Sequence, residues 1–383
     1  NLLGGLQAFS VSGAGGAQVV EFVRVHNTVR LQARNLDIVV KPGTPQARAV
    51  ETAYSASLMG ATPVASQPHP DSKAILIEAN GLFLSDLAGT SMHLQRTFRQ
   101  GYSLDRANSS ITAVRATPGL LVVETQNHYY TPNIGIAQPG TPPGLPVPTV
   151  PRYVPDSRSL FVGHHYSLAP LPAEPMTPRR ADARIGLMTQ TVMDLSDDLE
   201  RSPRVRMIER WRLQKKDPQA EVSEPVKPIT FWIDRNVPLK YRPVVAEAIL
   251  EWNKAFERIG FKNAIVVKQQ ADDADFDTLD ARHASVRWFV GSDVGFARGP
   301  SHTDPRSGEI IDADIAMSDV FGRGARRFIV ENVGAPVFNP PAMLARYADK
   351  TYFRHLDQLG VPTVPTEFFT PARLDDAFAE LHP

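Results

Sequence analysis

Between Pro228 and Asp319 the hydrophobic period switches from two to helical and back, and few folds accommodate that order. Ile229-Thr230-Phe231-Trp232-Ile233 is a short apolar and β-branched run, followed by turn chemistry from Asp234 to Pro238. Val245, Ile249, Trp252, Phe256 and Ile259 then recur at helical spacing, and Gly260 follows as a stop. Asn263-Ala264-Ile265-Val266-Val267 and Ser285-Val286-Arg287-Trp288-Phe289-Val290 read as two further strands. Asp304-Pro305-Arg306-Ser307-Gly308 is a tight reversal, with proline presetting one φ and glycine free to take a positive one. After it Ile311, Ala313, Ile315 and Met317 alternate with Asp312 and Asp314, an apolar face against an acidic one. The pattern predicts a mixed sheet backed by one helix from about Pro238 to Ile259. It places Ile310–Met317 at or near an edge, where outward charge blocks unwanted pairing.

Several stretches in this region run in the order of a known family. They are Pro225-Val226-Lys227-Pro228, Phe231-Trp232-Ile233-Asp234-Arg235-Asn236, Trp252-Asn253-Lys254-Ala255-Phe256, Gly260-Phe261-Lys262-Asn263-Ala264, Arg287-Trp288 and Asp304-Pro305-Arg306-Ser307-Gly308-Glu309-Ile310. Upstream, Gly15-Gly16-Ala17-Gln18-Val19-Val20 and Ser103-Leu104-Asp105-Arg106-Ala107-Asn108-Ser109-Ser110 continue it. Together these resemble the bacterial zinc-dependent metalloproteases of the metzincin clan that carry DUF5117 and DUF4953 regions, over residues 1 to about 327. The resemblance implies an α+β chain: a β-rich N-terminal domain, then the N-terminal sheet-and-helix half of a metzincin-like catalytic domain. It also implies an edge strand bordering the cleft, with a peptide or protein substrate paired along Ile311, Ala313 and Ile315. Zinc as cofactor and a periplasmic or extracellular location come from the same resemblance.

The zinc chemistry needs two histidines one helical turn apart, a glutamate between them and a third ligand. The ten histidines are His26, His69, His93, His128, His164, His165, His283, His302, His355 and His382, and no two are four apart. The catalytic motif is therefore missing from this sequence, and no catalytic residue is assigned. There is no cysteine to serve as nucleophile or thiolate ligand, and no Gly-x-Ser-x-Gly elbow marks a serine nucleophile. His302, Asp304, Asp312 and Asp314 are candidates for a structural ion such as calcium, because a hairpin would bring its two arms together; a polar edge face is the plainer reading. Asp272, Asp273, Asp275, Asp277 and Asp280 do not follow the EF-hand order and read as a solvated loop.

Residues 1–130 read as a mostly antiparallel β domain. Val19–Val25 and Thr28–Arg34 flank a His26-Asn27 turn, Lys73–Glu78 reads as a strand, and Asn80-Gly81 as a turn. Ile111–Val114 and Leu120–Glu124 continue the pattern. Ser12-Gly13-Ala14-Gly15-Gly16 precedes a strand rather than following one, so a flexible turn fits better than a phosphate loop. Residues 131–183 are proline-dense and read as a linker or docking segment. Within it His164 and His165 would point to opposite faces of a strand. Val205–Gln214 reads as a strand entering the 184–327 subdomain.

The last segment, 328–383, departs from this pattern. Gly360-Val361-Pro362-Thr363-Val364-Pro365-Thr366, after a helical Lys350–Leu359, resembles the segment before the ATP-binding core of ATP-grasp ligases. The chain begins in mid-pattern with no signal peptide, which suggests that its natural start lies elsewhere. Balanced charge, with 41 basic and 41 acidic residues, argues against nucleic acid as a partner. No apolar run approaches the ~20 residues that span a bilayer. Three functions stand: part of a zinc metallopeptidase that keeps its substrate-side strand and is inactive as given, a non-enzymatic module for extended peptides, and a truncated ATP-dependent ligase.

Overall fold

The structure is a computed structural model, and it describes residues 17–137, 140, 142, 145–290 and 297–319. Compact packing divides the chain into Asn1–Phe321 and Gly322–Pro383. The glycine turn at Ser12–Gly16 and the whole ATP-grasp-like stretch lie outside the described residues. The fold is β-rich α+β, built from four sheets among the described residues.

The first hairpin forms as its alternation predicts. β1 (Val20–Val25) and β2 (Thr28–Ala33) pair antiparallel around His26, which takes a positive φ of 53°. A two-residue β3 (Ile38–Val39) and helix α1 (Pro45–Ala53) follow. The Thr44 side chain caps α1 at the Ala47 N–H, and Pro45 supplies the preset φ of its first turn. β4 (Ser57–Pro63) then adds to β2. The expected strand over Lys73–Glu78 is reduced to one bridge between Ile77 and Val64. Asn80-Gly81 opens the short helix α2 (Asn80–Phe83) instead of a hairpin turn. Its Gly81 lies so close to Thr62 that a Cβ would meet the Thr62 hydroxyl at 2.7 Å. Here glycine serves close packing, and Leu82 and Phe83 enter the core.

Helix α3 (Thr90–Phe98) leads into a long meander of β5 (Ser103–Thr117), β6 (Leu120–Tyr130) and β7 (Ser159–Leu168). β7 corrects the linker reading of residues 131–183: it pairs with β6 at ten successive positions, from Leu121–Leu168 to Tyr130–Ser159. Prolines crowd the residues before and after it, but Ser159–Leu168 contains none. One face of the meander is apolar. Tyr129, Leu160 and Val162 pack on Leu94, Phe98 and Tyr102, while Val123 packs with Leu31, Leu82 and Phe83. The short sheet β3, β8 (Thr189–Asp194) and β9 (Arg204–Ile208) joins parallel and antiparallel pairings. The strand expected over Val205–Gln214 ends at Ile208, and Arg210 makes only an isolated bridge to Glu309.

The open sheet has the order β11 (Ile265–Gln269), β10 (Ile229–Ile233), β12 (Ser285–Phe289), β14 (Glu309–Ser318), β13 (Ser301–Asp304). The first four are parallel and β13 alone is antiparallel. Ile229, Phe231, Ile265 and Val286 form its core with Ile249. The expected single helix is broken into a 3-10 turn at Leu239–Tyr241, α4 (Arg242–Leu250) and α5 (Asn253–Arg258). Between them the amides of Trp252, Lys254 and Ala255 bond three residues back rather than four. Trp252 and Ile259 are consequently exposed, whereas Val245, Ile249 and Phe256 reach the core. Gly260 is the predicted stop, at φ +88°. Asn253 covers the β11 edge: its side chain both donates to and accepts from the Ile265 backbone, at 3.0 and 2.8 Å.

A buried carboxylate joins the meander to this sheet. Asp280 accepts from Arg115 on β5 at 2.6 Å, and its Oδ1 lies 3.0 Å from His165 Nε2 on β7. The Ala281 amide donates to Ser167 Oγ, also on β7, at 2.8 Å. Removing the carboxylate leaves Arg115 without its closest anion beside a buried histidine. Asp280→Ala is expected to cost up to ~3 kcal/mol, below the range for a fully buried pair because Arg115 stays one-third exposed. Urea denaturation of this variant beside Asp272→Ala, at an exposed position of the same loop, checks it.

Candidate functional site

The hairpin around the Asp304–Gly308 reversal is where sequence placed the site. Ser307 and Gly308 amides both donate to the Asp304 carbonyl, closing the turn. Gly308 takes φ +72°, and a Cβ there would collide with the Ile208 carbonyl oxygen. Asp304 is fully buried and receives the Arg306 amide at 2.9 Å and the Arg306 guanidinium at 2.7 Å. The carboxylate is thus used inside its own turn.

β14 is not the edge. It pairs with β12 on one side, Ile315 opposite Val286, and with β13 on the other, Ala313 opposite Ser301. The expectation that Ile311, Ala313 and Ile315 offer free main chain is corrected accordingly. Ala313 and Ile315 pack against the Ile229–Val286 core, and Ile311 lies beside the bulge between His302 and Thr303. The first arm of the expected hairpin forms as β13, although Ser301-His302-Thr303-Asp304 has no apolar alternation. Its strand character comes from the partner it meets.

The edge belongs to β13 and the residues before it. The Asp314 amide donates to the Pro300 carbonyl, and Arg298 and Ala316 exchange amide–carbonyl bonds. Antiparallel alternation then turns the main chain of Gly299 and Ser301 away from β14. Among the described residues no strand pairs with that outer side. Ser301 Oγ donates to Glu209 at 2.9 Å, which holds the side chain aside.

The acidic face of β14 is turned inward, a second correction. Asp312 is almost fully buried, and its Oδ1 has no hydrogen-bond partner. Its Oδ2 lies 3.8 Å from His302 Nδ1, and this carboxylate raises the imidazole above its ordinary value. Asp314 accepts from Ser285 Oγ at 2.5 Å. Burial first, and then the Asp312 carboxylate, push Asp314 up to about 6. His302, Asp312 and Asp314 therefore share one face, while Asp304 is turned into its own reversal. Among the described residues no three side chains converge as a metal-ligand set. The four candidates do not fit a calcium cage, which takes six to eight oxygens.

His164 and His165 do point to opposite faces of β7. His164 is buried with Nε2 2.8 Å from the Thr90 hydroxyl, and burial drives it down to about 4. His165 lies between Glu124 and Asp280 in the joint described above. The aspartate loop divides likewise: Asp272, Asp273 and Asp275 are exposed, whereas Asp277 pairs with Arg287 at 2.7 Å and Asp280 is buried.

Sequence reading passed over one cluster entirely. Asp105, His128 and Ser159, from β5, β6 and β7, meet side by side on the outer face of the meander. They are far apart in the chain and follow no linear motif. Strand register alone brings them together, and it could be found only by pairing the alternating strands explicitly.

Among the described residues these features define a β-rich α+β chain whose N-terminal part is a set of small, mostly antiparallel sheets leading into an open, mostly parallel one. The family model described as a domain of unknown function, DUF5117, matches residues 12–216, and the chain belongs to that family. The match runs through the proline-dense segment and includes β7. No curated protein and no solved structure matches the chain. Among the described residues no helix is long and apolar enough to cross a membrane.

The buried acid pair yields a pH test. Asp314 holds its proton in the folded state up to about pH 6, whereas in an unfolded chain it loses it near 3.8. The folded state binds more protons in that window, so this group's contribution falls as pH rises from about 4 to 6. Asp314→Asn keeps the acceptor for Ser285 and removes the charge. The variant is expected to melt higher than the parent at pH 7 to 8, with the difference vanishing near pH 4, as thermal scans across pH would report.

Proposed function

We propose that this chain is the substrate-side portion of a zinc-dependent metallopeptidase of metzincin type, and that it holds an extended peptide without cleaving it. The observation that carries this reading is the outer side of the antiparallel edge strand β13, which pairs with no strand among the described residues, with the Gly299 and Ser301 main chain facing outward. An incoming peptide adds there as a further strand, its main chain bonding to the edge and its alternate side chains projecting above and below. The ordered resemblance over residues 225–310 supports the same assignment, with β13 taking the role first given to Ile311, Ala313 and Ile315. A periplasmic or extracellular setting goes with that resemblance and with the lack of cysteine.

Zinc supplies an acidified water in such enzymes. The histidines of this sequence do not offer the paired helical spacing that holds it, so no step of hydrolysis is assigned to these residues. The ATP-grasp alternative rests on residues outside those described and has no geometry to support it.

Binding is tested with a fluorescent library of unstructured peptides. Ser301→Pro removes the outward N–H and crowds the edge while leaving the β14 ladder intact. A loss of at least ~10-fold in affinity is expected, about the value of one edge hydrogen bond with its neighbour disturbed. Unchanged binding by this variant would place the peptide elsewhere. Zinc is expected to produce no cleavage; chelator-sensitive cleavage would mean that the chain does carry a catalytic metal site.

A further inference from the structure

The outer face of the meander carries an arrangement that the peptidase reading does not use. Asp105 lies opposite His128 across β5 and β6, and Ser159 lies opposite Tyr130 across β6 and β7. Period-two alternation puts Asp105, His128 and Ser159 on one face. Asp105 Oδ2 is 2.9 Å from His128 Nδ1, and His128 Nε2 is 2.8 Å from Ser159 Oγ.

The roles of the ring nitrogens follow from the acceptor at one end. The Asn108 side-chain amide, followed by His128, holds the Asp105 carboxyl below the usual carboxylate range, so it is an anion and can only accept. Nδ1 must then carry the proton in the neutral imidazole. Nε2 is left as an acceptor, and the Ser159 hydroxyl donates to it. This is the hydrogen-bond order of a nucleophile, a general base and an orienting acid. The parts are held from behind: Ala107 N–H and Asn108 Nδ2 donate to Asp105, and the His128 amide donates to Ser109 Oγ. His128 is largely covered while Ser159 is only half-buried, so the base is sheltered and the nucleophile reachable. Phe161 and Tyr130 flank the pair, and both are exposed, at 57% and 41%. The Phe161 ring centroid is 4.8 Å from that of His128. A flat apolar group can rest there beside the serine.

We propose that Ser159, His128 and Asp105 form an acyl-transfer site for activated esters with an aromatic group. Ser159 Oγ attacks the ester carbonyl carbon as His128 Nε2 takes the hydroxyl proton, and a carbon–oxygen bond forms. The bond to the aryl oxygen breaks, the phenol leaves with the proton from His128, and the serine is left as an ester. Water attacks that ester by the same route, releasing the carboxylic acid and restoring the serine. The Ser159 amide already donates to the Asp156 carbonyl at 3.1 Å, so it does not stabilise a carbonyl anion. That restricts the substrate to esters with good leaving groups and leaves amides untouched.

The test uses the full chain with para-nitrophenyl acetate, reading phenolate release and mapping acetylated peptides by mass spectrometry. Acetyl is expected on Ser159 and absent there in Ser159→Ala. Asp105→Asn, which loses the tautomer control, should slow Ser159 acetylation by ~10²–10⁴-fold, with circular dichroism confirming the fold. The neighbouring Ser157 and surface lysines give the background rate. If Ser159 is acetylated no faster than Ser157, or if Asp105→Asn leaves its rate unchanged, the three residues are a structural hydrogen-bond chain and the proposal fails.

Discussion

One buried carboxylate sets the relation between the two halves of the described structure. Asp280 stands between β5 and β7 of the meander and the loop that feeds β12. A buried anion is costly unless it is matched by donors. Arg115 donates to it from one side, where His165 Nε2 also lies 3.0 Å from its Oδ1. From the other, Asp280 accepts from the Asp277 amide at 3.1 Å, while Asp277 itself pairs with Arg287 on β12. Arg287 also donates to the Thr278 hydroxyl, which donates to buried Asp234 just beyond β10 at 2.6 Å. The chain of contacts runs from the meander to the middle of β12 and the carboxyl end of β10. Each charge in it would be unfavourable alone.

That continuity explains why the aspartate-rich loop could not be read from composition. Five aspartates in ten residues look solvated, and three of them are. The other two are placed by Arg115, far away in sequence from Asp280, and by Arg287 on the next strand, beside Asp277. The same limit applies to Asp105, His128 and Ser159, which strand register brings together. What was legible was local: the β1–β2 hairpin, the strands at Ile229–Ile233 and Ser285–Phe289, and the stop at Gly260. The broken helix after Pro238 was half legible, since apolar spacing gave its inward face but not the three-residue hydrogen bonds that expose Trp252.

The acidic alternation on β14 misled for a related reason. Outward charge suits an exposed edge, but Asp312 and Asp314 lie beneath His302 and Ser285. Sequence fixes which residues share a face of a strand. Whether that face meets water depends on how far the neighbouring strands extend over it. A four-residue neighbour contributes here: paired along the first half of β14, it sets His302 beside Asp312.

β7 carries this argument furthest, since its residues meet three environments at once. Leu160, Val162 and His164 face the core. On the opposite face His165 and Ser167 are taken up by the joint at Asp280 and Ala281, while Ser159 and Phe161 face outward. Gly163, exposed between the two outer pairs, leaves the boundary between them open. A strand pinned along its inner face and at one end of its outer face has little freedom to slide. Slippage by one residue would exchange the faces and put His165 into the core. The register of β6 against β7 is therefore determined by apolar burial and by the contacts of His165 and Ser167 with Asp280 and Ala281 together. The alignment of His128 with Ser159 follows from that register, so the geometry at the open end is held by contacts made at the closed one.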